Sequence, residues 1–366
     1  MNNSQILQRV LIIAAAVVVL AIVGVLAFVG LDTKTTFRVG LVLTGTTTDS
    51  GWNETHYNGV VSACEKLDTK LIVKENVAEG TGDCEKAIHD LAKEGVHMII
   101  LSSYSYPDEV KDVIESYPNI AFYGISSYYS SENMTSYFGR MYQARYLAGV
   151  IAGMKTKTDS IGYVAAMPNN EVNRGINAFT LGVKSVNPDA KVYVSWTNSW
   201  DDEATEISCA EKLIKDKNVD VMSYHQNRHA VATTADKAGI YSIGYNKVAE
   251  GMSENYLTAA VWNWESLYYQ IIREYVQGKP NTVKHRWFGL DSSAVELAPL
   301  SPSVDEKTIK AYESARNEVL SGDNIFAGEI YDNNGEKRCG DGEKISDETL
   351  LTAMDWYVDG VIIYEA

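Results

Sequence analysis

Two stretches of this chain copy one another, and the copy constrains the fold more than any other feature. Residues 37–43 form an apolar run, 45–53 a polar loop with Asp49, Trp52 and Asn53, and 54–64 an amphipathic stretch with Gly59. The same order returns at 160–165, 168–174 and 175–186, with Gly182 standing where Gly59 stood. Second units follow in both places: KLIV at 70–73 precedes a helical pattern holding Cys84, and KVYV at 191–194 precedes one holding Cys209. Strands rich in Val, Ile and Leu that alternate with helices build parallel sheets through right-handed crossovers. Doubled, the pattern predicts an α/β protein of two doubly wound lobes, not one long sheet.

In the first lobe, strands are expected at 37–43, 70–77, 97–101 and 120–125, with helices at 52–67, 83–93 and 107–116. Pro107 suits a first helical turn, and Asp108 and Glu109 suit its dipole. Residues 141–154 place Ala and Gly at helical spacing, which predicts a helix packed closely on a neighbour. That run is too short to span a bilayer and carries Arg145. Residues 256–264 and 283–290 read as chain crossing between lobes around a helix at 265–276. Asn334-Gly335 predicts a type I′ hairpin at 330–337, and a helix at 347–358 precedes the tail at 361–364. The division expected is 37–138 plus 247–288 for one lobe and 139–246 plus 289–366 for the other.

Ahead of these lobes, residues 10–30 are continuously apolar. At about 1.5 Å per helical residue they are long enough to cross a hydrocarbon core of about 30 Å. They predict a transmembrane signal-anchor, with 1–9 cytoplasmic, 31–36 a tether, and the lobes outside the cytoplasm at the plasma membrane. Cleavage after Ala27 is the alternative. The first cysteine is Cys64, which excludes lipid attachment at a processed N-terminal cysteine.

A net charge of -16 with only 32 Lys plus Arg argues against nucleic-acid binding, which needs clustered positive charge. Cys64, Cys84, Cys209 and Cys339 contain no C-x-x-C; buried thiols and one or two disulfides both fit them. No G-x-S-x-G, no G-x-x-x-x-G-K-[ST] and no G-x-G-x-x-G occurs, so neither a hydrolase elbow nor a phosphate cradle is expected. His225 and His229 stand one helical turn apart but lack a third ligand, and the Asp332–Glu343 stretch has Lys337 where a calcium loop needs Gly. Asp201 and Asp202 are read as helix-capping charges. A binding protein without cofactor, metal or catalytic residues is expected.

The residue type that stands out is aromatic. Trp52, Tyr104 and Tyr106 in the first lobe, Trp200 and Tyr224 in the second, and Trp262 with Trp264 at a crossover fall at the ends of strands. Aromatic faces that sandwich a planar ligand supply burial and stacking of roughly 0.5–1.5 kcal/mol per pair. Nearby amides and acids orient it. Asn53 serves either as such a group or as a helix cap.

DSGWN at 49–53 with Gly59, YFGRMYQARYLAGVIAG at 137–153, IGYV at 161–164 with EVNRGINAF at 171–179, and MDWYVDG at 354–360 together resemble the basic membrane protein family, the PnrA-like substrate-binding proteins of ABC transporters. The resemblance implies a type I periplasmic-binding-protein fold with a three-stranded hinge, a cleft that closes on a purine nucleoside or similar compound, and permease and ATPase partners. It places Trp52 where the family has a stacking Phe, and a second stacking ring at or near Trp200. Ser126 and Asn246 stand where nucleoside-binding members keep carboxylates, and Trp262 where a lysine is expected, so a free nucleobase or another ring compound also fits. The site expected comprises Asp49, Trp52, Asn53, Tyr104, Ser126, Trp200, Tyr224, Asn246 and Trp262. A membrane-anchored ligand sensor using the same clamp without a permease is the alternative.

Overall fold

A computed structural model describes residues 36–49 and 51–365. The segment expected at 10–30 to anchor the chain, its flank at 1–9 and the start of the tether lie outside the described residues. Among the described residues, no helix is long and apolar enough to cross a membrane.

The first sheet contains β1 (Arg38–Val42), β2 (Lys70–Lys74), β3 (Met98–Leu101), β4 (Ala121–Ile125), β5 (Met134–Gly139) and β11 (His285–Phe288). Their order is β11-β5-β4-β3-β1-β2, with every pairing parallel. The second sheet contains β6 (Ser160–Ala165), β7 (Lys191–Trp196), β8 (Val221–His225), β9 (Tyr241–Asn246), β10 (Tyr256–Trp262), β12 (Val295–Leu297) and β15 (Val361–Ile363), in the order β12-β10-β9-β8-β6-β7-β15. Only the β10–β12 pairing in it is antiparallel. The order β2-β1-β3-β4-β5 in one sheet is matched by β7-β6-β8-β9-β10 in the other, so the internal copy in sequence is a copy in topology. In each sheet the order reverses beside its first strand, which opens a crevice at the carboxyl ends of the strands.

Helices α1 (Trp52–Lys66) and α2 (Asp83–Lys93) follow β1 and β2. The helix expected at 107–116 is two short ones, α3 (Tyr106–Glu109) and α4 (Lys111–Ser116), because Val110 leaves helical geometry at φ -121 with its side chain buried. Helix α9 (Trp264–Val276) packs on α1, while α5 (Met141–Lys155), α6 (Asn170–Val186), α7 (Glu203–Lys217), α8 (Ala230–Lys237), α10 (Glu306–Leu320) and α11 (Asp347–Thr352) accompany the second sheet. A Cβ added at Gly149 would lie 2.0 Å from the Phe179 carbonyl, and one at Gly182 2.0 Å from that of Tyr146. The backbones of α5 and α6 therefore touch, as the small-residue spacing predicts.

The chain passes between the sheets three times: from β5 to α5, from β10 to α9, and from β11 to β12. The strand at 256–262 corrects the expected division, since β10 hydrogen-bonds to β9 in the second sheet. Within 247–288 only α9 and β11 join the first lobe, where Gly59 lets α1 approach Trp264. An apolar crossover strand looks the same whichever sheet accepts it.

Two details of the C-terminal segment also differ from expectation. The hairpin of β13 (Ile330–Tyr331) and β14 (Lys337–Cys339) forms, but only Gly335 of its Asn-Gly pair has positive φ, at 83°. The Gly335 N–H donates to the Asp332 carbonyl at 3.0 Å, a turn followed by a left-handed glycine and not a type I′ turn. Helix α11 stops at Thr352 because side chains on α6 capture the backbone beyond it. Asn173 donates to the Met354 carbonyl at 2.8 Å, and Asn177 donates to the Trp356 carbonyl at 2.9 Å and accepts from the Val358 N–H at 3.0 Å.

Candidate functional site

The carboxyl ends of β1, β3, β4, β6 and β9 meet around a cavity of about 360 Å³. Seven of the nine residues expected at a site line it: Asp49, Trp52, Asn53, Tyr104, Ser126, Trp200 and Asn246. A wider depression of about 750 Å³ shares Asp49, Trp52 and Asn227 with it and carries Arg228, Lys247 and Asp201.

Trp52 opens α1. Its indole N–H donates to the Ser102 carbonyl at 2.9 Å, and its ring meets His56 at 4.3 Å and Trp264 at 5.5 Å, both edge-on. Behind it Trp262 and Trp264 stack at 4.5 Å and 14°. His56 is fully buried between Trp52 and Trp264, with Nδ1 bonded to the Tyr268 hydroxyl, which in turn pairs with Tyr137 at 2.8 Å. Burial, only partly opposed by Asp49, pushes the imidazole down to about 3, so it stays neutral. The ring of Trp52 is thus held before any ligand arrives.

Asp49 is occupied by its own loop. Its carboxylate accepts from the N–H groups of Gly51 at 2.8 Å, Asn53 at 3.1 Å and Glu54 at 3.0 Å, and from the Asn53 side chain at 2.8 Å. Burial opposes its charge, but these hydrogen bonds outweigh it and hold the carboxyl below its ordinary value. It caps α1, which answers the question of what Asn53 does there. Asn53 is inside the helix, lines the cavity and accepts from Thr44 at 3.1 Å; one of its two amide N–H groups goes to Asp49, and the other has no partner among the described residues.

Ser126 and Asn246 end β4 and β9 at matching places in the two lobes, with left-handed φ of 53° and 69°. Such backbone is uncommon for residues other than Gly and concentrates at ligand clamps. The Asn246 side-chain oxygen is buried and has no hydrogen-bond partner among the described residues. Trp200 follows β7 and meets His225 edge-on at 5.7 Å. Beside it Asp201 pairs with Arg228, and Asp202 caps α7 by accepting from the Thr205 N–H at 3.1 Å. Tyr104 is half exposed at the rim, edge-on to Tyr128 at 5.9 Å.

Two expected residues do not line the cavity. Tyr224 is wholly buried, its hydroxyl paired with His229 Nδ1 at 2.9 Å. Trp262 stands behind Trp52, packs on Phe138 at 5.3 Å and reaches the Tyr245 hydroxyl at 3.4 Å. His225 and His229 do not share a helix turn, because His225 ends β8 and α8 begins only at Ala230. Among the described residues no group of three His, Cys, Asp or Glu could hold a metal. The four cysteines are separate, buried thiols.

The lining also holds residues not expected from sequence, among them Glu79, Phe138, Glu171, Asn227 and Tyr245. Glu171 had a sequence signal: it lies in the 168–174 loop that copies the Asp49 loop. Under the floor, Arg145 is fully buried, donates to the Tyr224 carbonyl at 2.7 Å and lies over the Tyr245 ring at 4.1 Å. Burial, with Arg145 and Arg174 nearby, pushes His225 well below its ordinary value, so it too is neutral.

A family model described as ABC transporter substrate-binding protein PnrA-like matches residues 36–327. The chain is 34% identical over 328 residues to a purine-binding protein of Brucella abortus, covering 88% of this chain and 92% of that protein. It is 32% identical over 315 residues to a candidate ABC transporter glucose-binding protein of Haloferax volcanii, covering 86% and 77%. Among solved structures, it is similar to that of a transcriptional activator of the comK gene from Bacillus halodurans, with a TM-score of 0.71 at 22% identity, covering 78% of this chain and 98% of that one.

Proposed function

The chain belongs to the PnrA-like family of ABC transporter substrate-binding proteins, and from that premise we propose that it captures a purine-type ring compound outside the cytoplasm and delivers it to a membrane permease. The observation that carries this is the cavity itself, which lies between strand ends of both lobes and has an indole on each side, Trp52 from one and Trp200 from the other. Its volume is near the lower end of the range of about 300–1,000 Å³ for small-molecule sites. That favours a free nucleobase, with the adjoining depression able to take a sugar. The name of the Brucella relative supports the purine class.

The three chain crossings serve as the hinge about which the lobes close, as in other two-lobed clamps. The apolar segment at 10–30 holds the lobes at the membrane surface. No chemistry on the ligand is part of this role.

Thermal melting with purine bases, their nucleosides and glucose tests the ligand class, since a ligand that binds only the native state raises the melting temperature. A rise with a purine base and none with glucose is expected; flat curves across all purines overturn the proposal. The importer and the sensor differ in their partner. Genes for a permease and an ATPase beside this one support the importer, and their absence supports the sensor.

A further inference from the structure

We infer that Glu171 selects the ligand by accepting hydrogen bonds from N–H donors on the edge of the bound ring, with Asn246 as a second acceptor on the same lobe. The assignment rests on the purine-type reading above and adds which edge chemistry the cleft demands.

Three carboxylates line the cavity: Asp49, Glu79 and Glu171. Asp49 is saturated by four donors from its own loop. Glu79 accepts from the hydroxyls of Ser103 and Ser105. Glu171 accepts from nothing among the described residues; its nearest ion-pair partner, His225 Nε2, is 3.9 Å away, beyond hydrogen-bond reach. Nor does it cap its helix, since Asn169 fills that position and accepts from the Val172 N–H at 3.0 Å.

Glu171 is one-third exposed and lines the cavity. Burial disfavours its charge, while Arg174 and Arg145 favour it. Its carboxylate still reaches water, so a ligand that closes over it must supply an N–H donor in place of that water or leave the charge unpaired at a cost. The buried Asn246 oxygen is likewise an acceptor without a partner among the described residues. The second lobe therefore offers acceptors, and the spare N–H of Asn53 on the first lobe offers a donor. A lactam or amine-bearing purine meets both; a ring whose donors are methylated leaves Glu171 unpaired. Sites built to hydrogen-bond a substrate reject analogues that lack the matching group more sharply than apolar pockets do.

Titration calorimetry of the whole protein and of E171A, which leaves no acceptor at this position, tests this, with adenine, hypoxanthine and N-methylated derivatives of each. Wild type is expected to bind a parent base and to lose roughly 10- to 100-fold on methylation of the contacting nitrogen. E171A should lose a similar factor for the parent base and no longer distinguish the methylated one. Wild-type binding that is unchanged in E171A overturns the inference and leaves the purine reading intact. A loss in E171A that is equal for parent and methylated bases also overturns it, because that is damage without selectivity. A melting temperature lowered in E171A with affinity unchanged identifies a helix-end charge only and overturns it too. If wild type binds no purine, the reading itself fails and takes the inference with it.

Discussion

The indole N–H of Trp52 donates to the Ser102 carbonyl at 2.9 Å and ties the start of α1 to the end of β3. The bond spans 50 residues of sequence and sets the plane of a ring on the cavity wall. His56 and Trp264 hold that ring edge-on from the side away from solvent.

Replacing Trp52 separates ring from bond. Trp52→Phe keeps an aromatic face and loses the donor, so affinity should fall roughly 3- to 10-fold, as for one neutral hydrogen bond. Trp52→Ala removes the face as well and should cost more than roughly 30-fold, from lost stacking and burial. Calorimetry with the purine base that shifts the melting temperature reads both. Equal affinity for wild type and the alanine variant would remove Trp52 from the site.

Asp49→Ala strips the α1 terminus of a carboxylate that satisfies three backbone N–H groups. Loss of a helix cap costs about 0.5–2 kcal/mol, and the urea midpoint should fall accordingly. Ligand affinity should fall less than in Trp52→Ala, because the carboxylate already spends its oxygens inside the loop. A larger affinity loss than for Trp52→Ala would show that Asp49 contacts ligand directly.

Glu206 on α7 is fully buried, and neither of its oxygens has a hydrogen-bond partner among the described residues. Burial first, then the charges of Asp201, Glu203 and Asp202 against that of Arg228, push its carboxyl up to about 7. The native state therefore holds a proton here that the unfolded chain has released above its ordinary value of 4.5. The stability this confers is full below that value and lost as pH rises through about 7. Unfolding free energy should thus decline between about pH 5 and pH 8, and Glu206→Gln should flatten that slope and exceed wild type at the alkaline end by up to roughly 3 kcal/mol. Urea melts at the two pH values, with the same slope in both proteins, would rule this out.

Two glycines on one helix should respond oppositely to alanine. At Gly182 the new Cβ would meet the Tyr146 carbonyl at 2.0 Å and push α5 from α6, costing roughly 1–3 kcal/mol or more. At Gly175 the nearest atom is 3.6 Å away, an ordinary contact, so the variant should gain up to about 1 kcal/mol from helix propensity. Urea midpoints measure both, and a Gly182→Ala protein as stable as wild type would show that the two helices can separate freely.

Part of the site was legible because its signals are local. Trp52 and Asn53 follow β1 by fewer than a dozen residues, and Trp200 follows a strand of the second lobe as closely, although that strand, β7, is the counterpart of β2 and not of β1. Tyr224 and Trp262 looked equivalent but face inward, since the direction of a residue near a strand end depends on the pleat and on what packs there. Glu171, Phe138 and Tyr245 come from three separate elements of the chain. No window of sequence shows them side by side.

From sequence alone came what short-range physics determines: where strands and helices lie, that the strands pair in parallel, and that the lobes repeat. Apolar periodicity and glycine spacing act over a few residues and need no knowledge of distant partners. Tertiary structure decided which sheet took β10, which aromatic rings reached the cavity, and which carboxylate stayed unpaired. Those outcomes depend on hydrogen bonds and packing between elements far apart in the chain. Asp49 and Glu171 are carboxylates in stretches that copy one another in sequence, but the first folds as a loop whose donors surround it and the second as the first turn of α6, with no donor to it among the described residues.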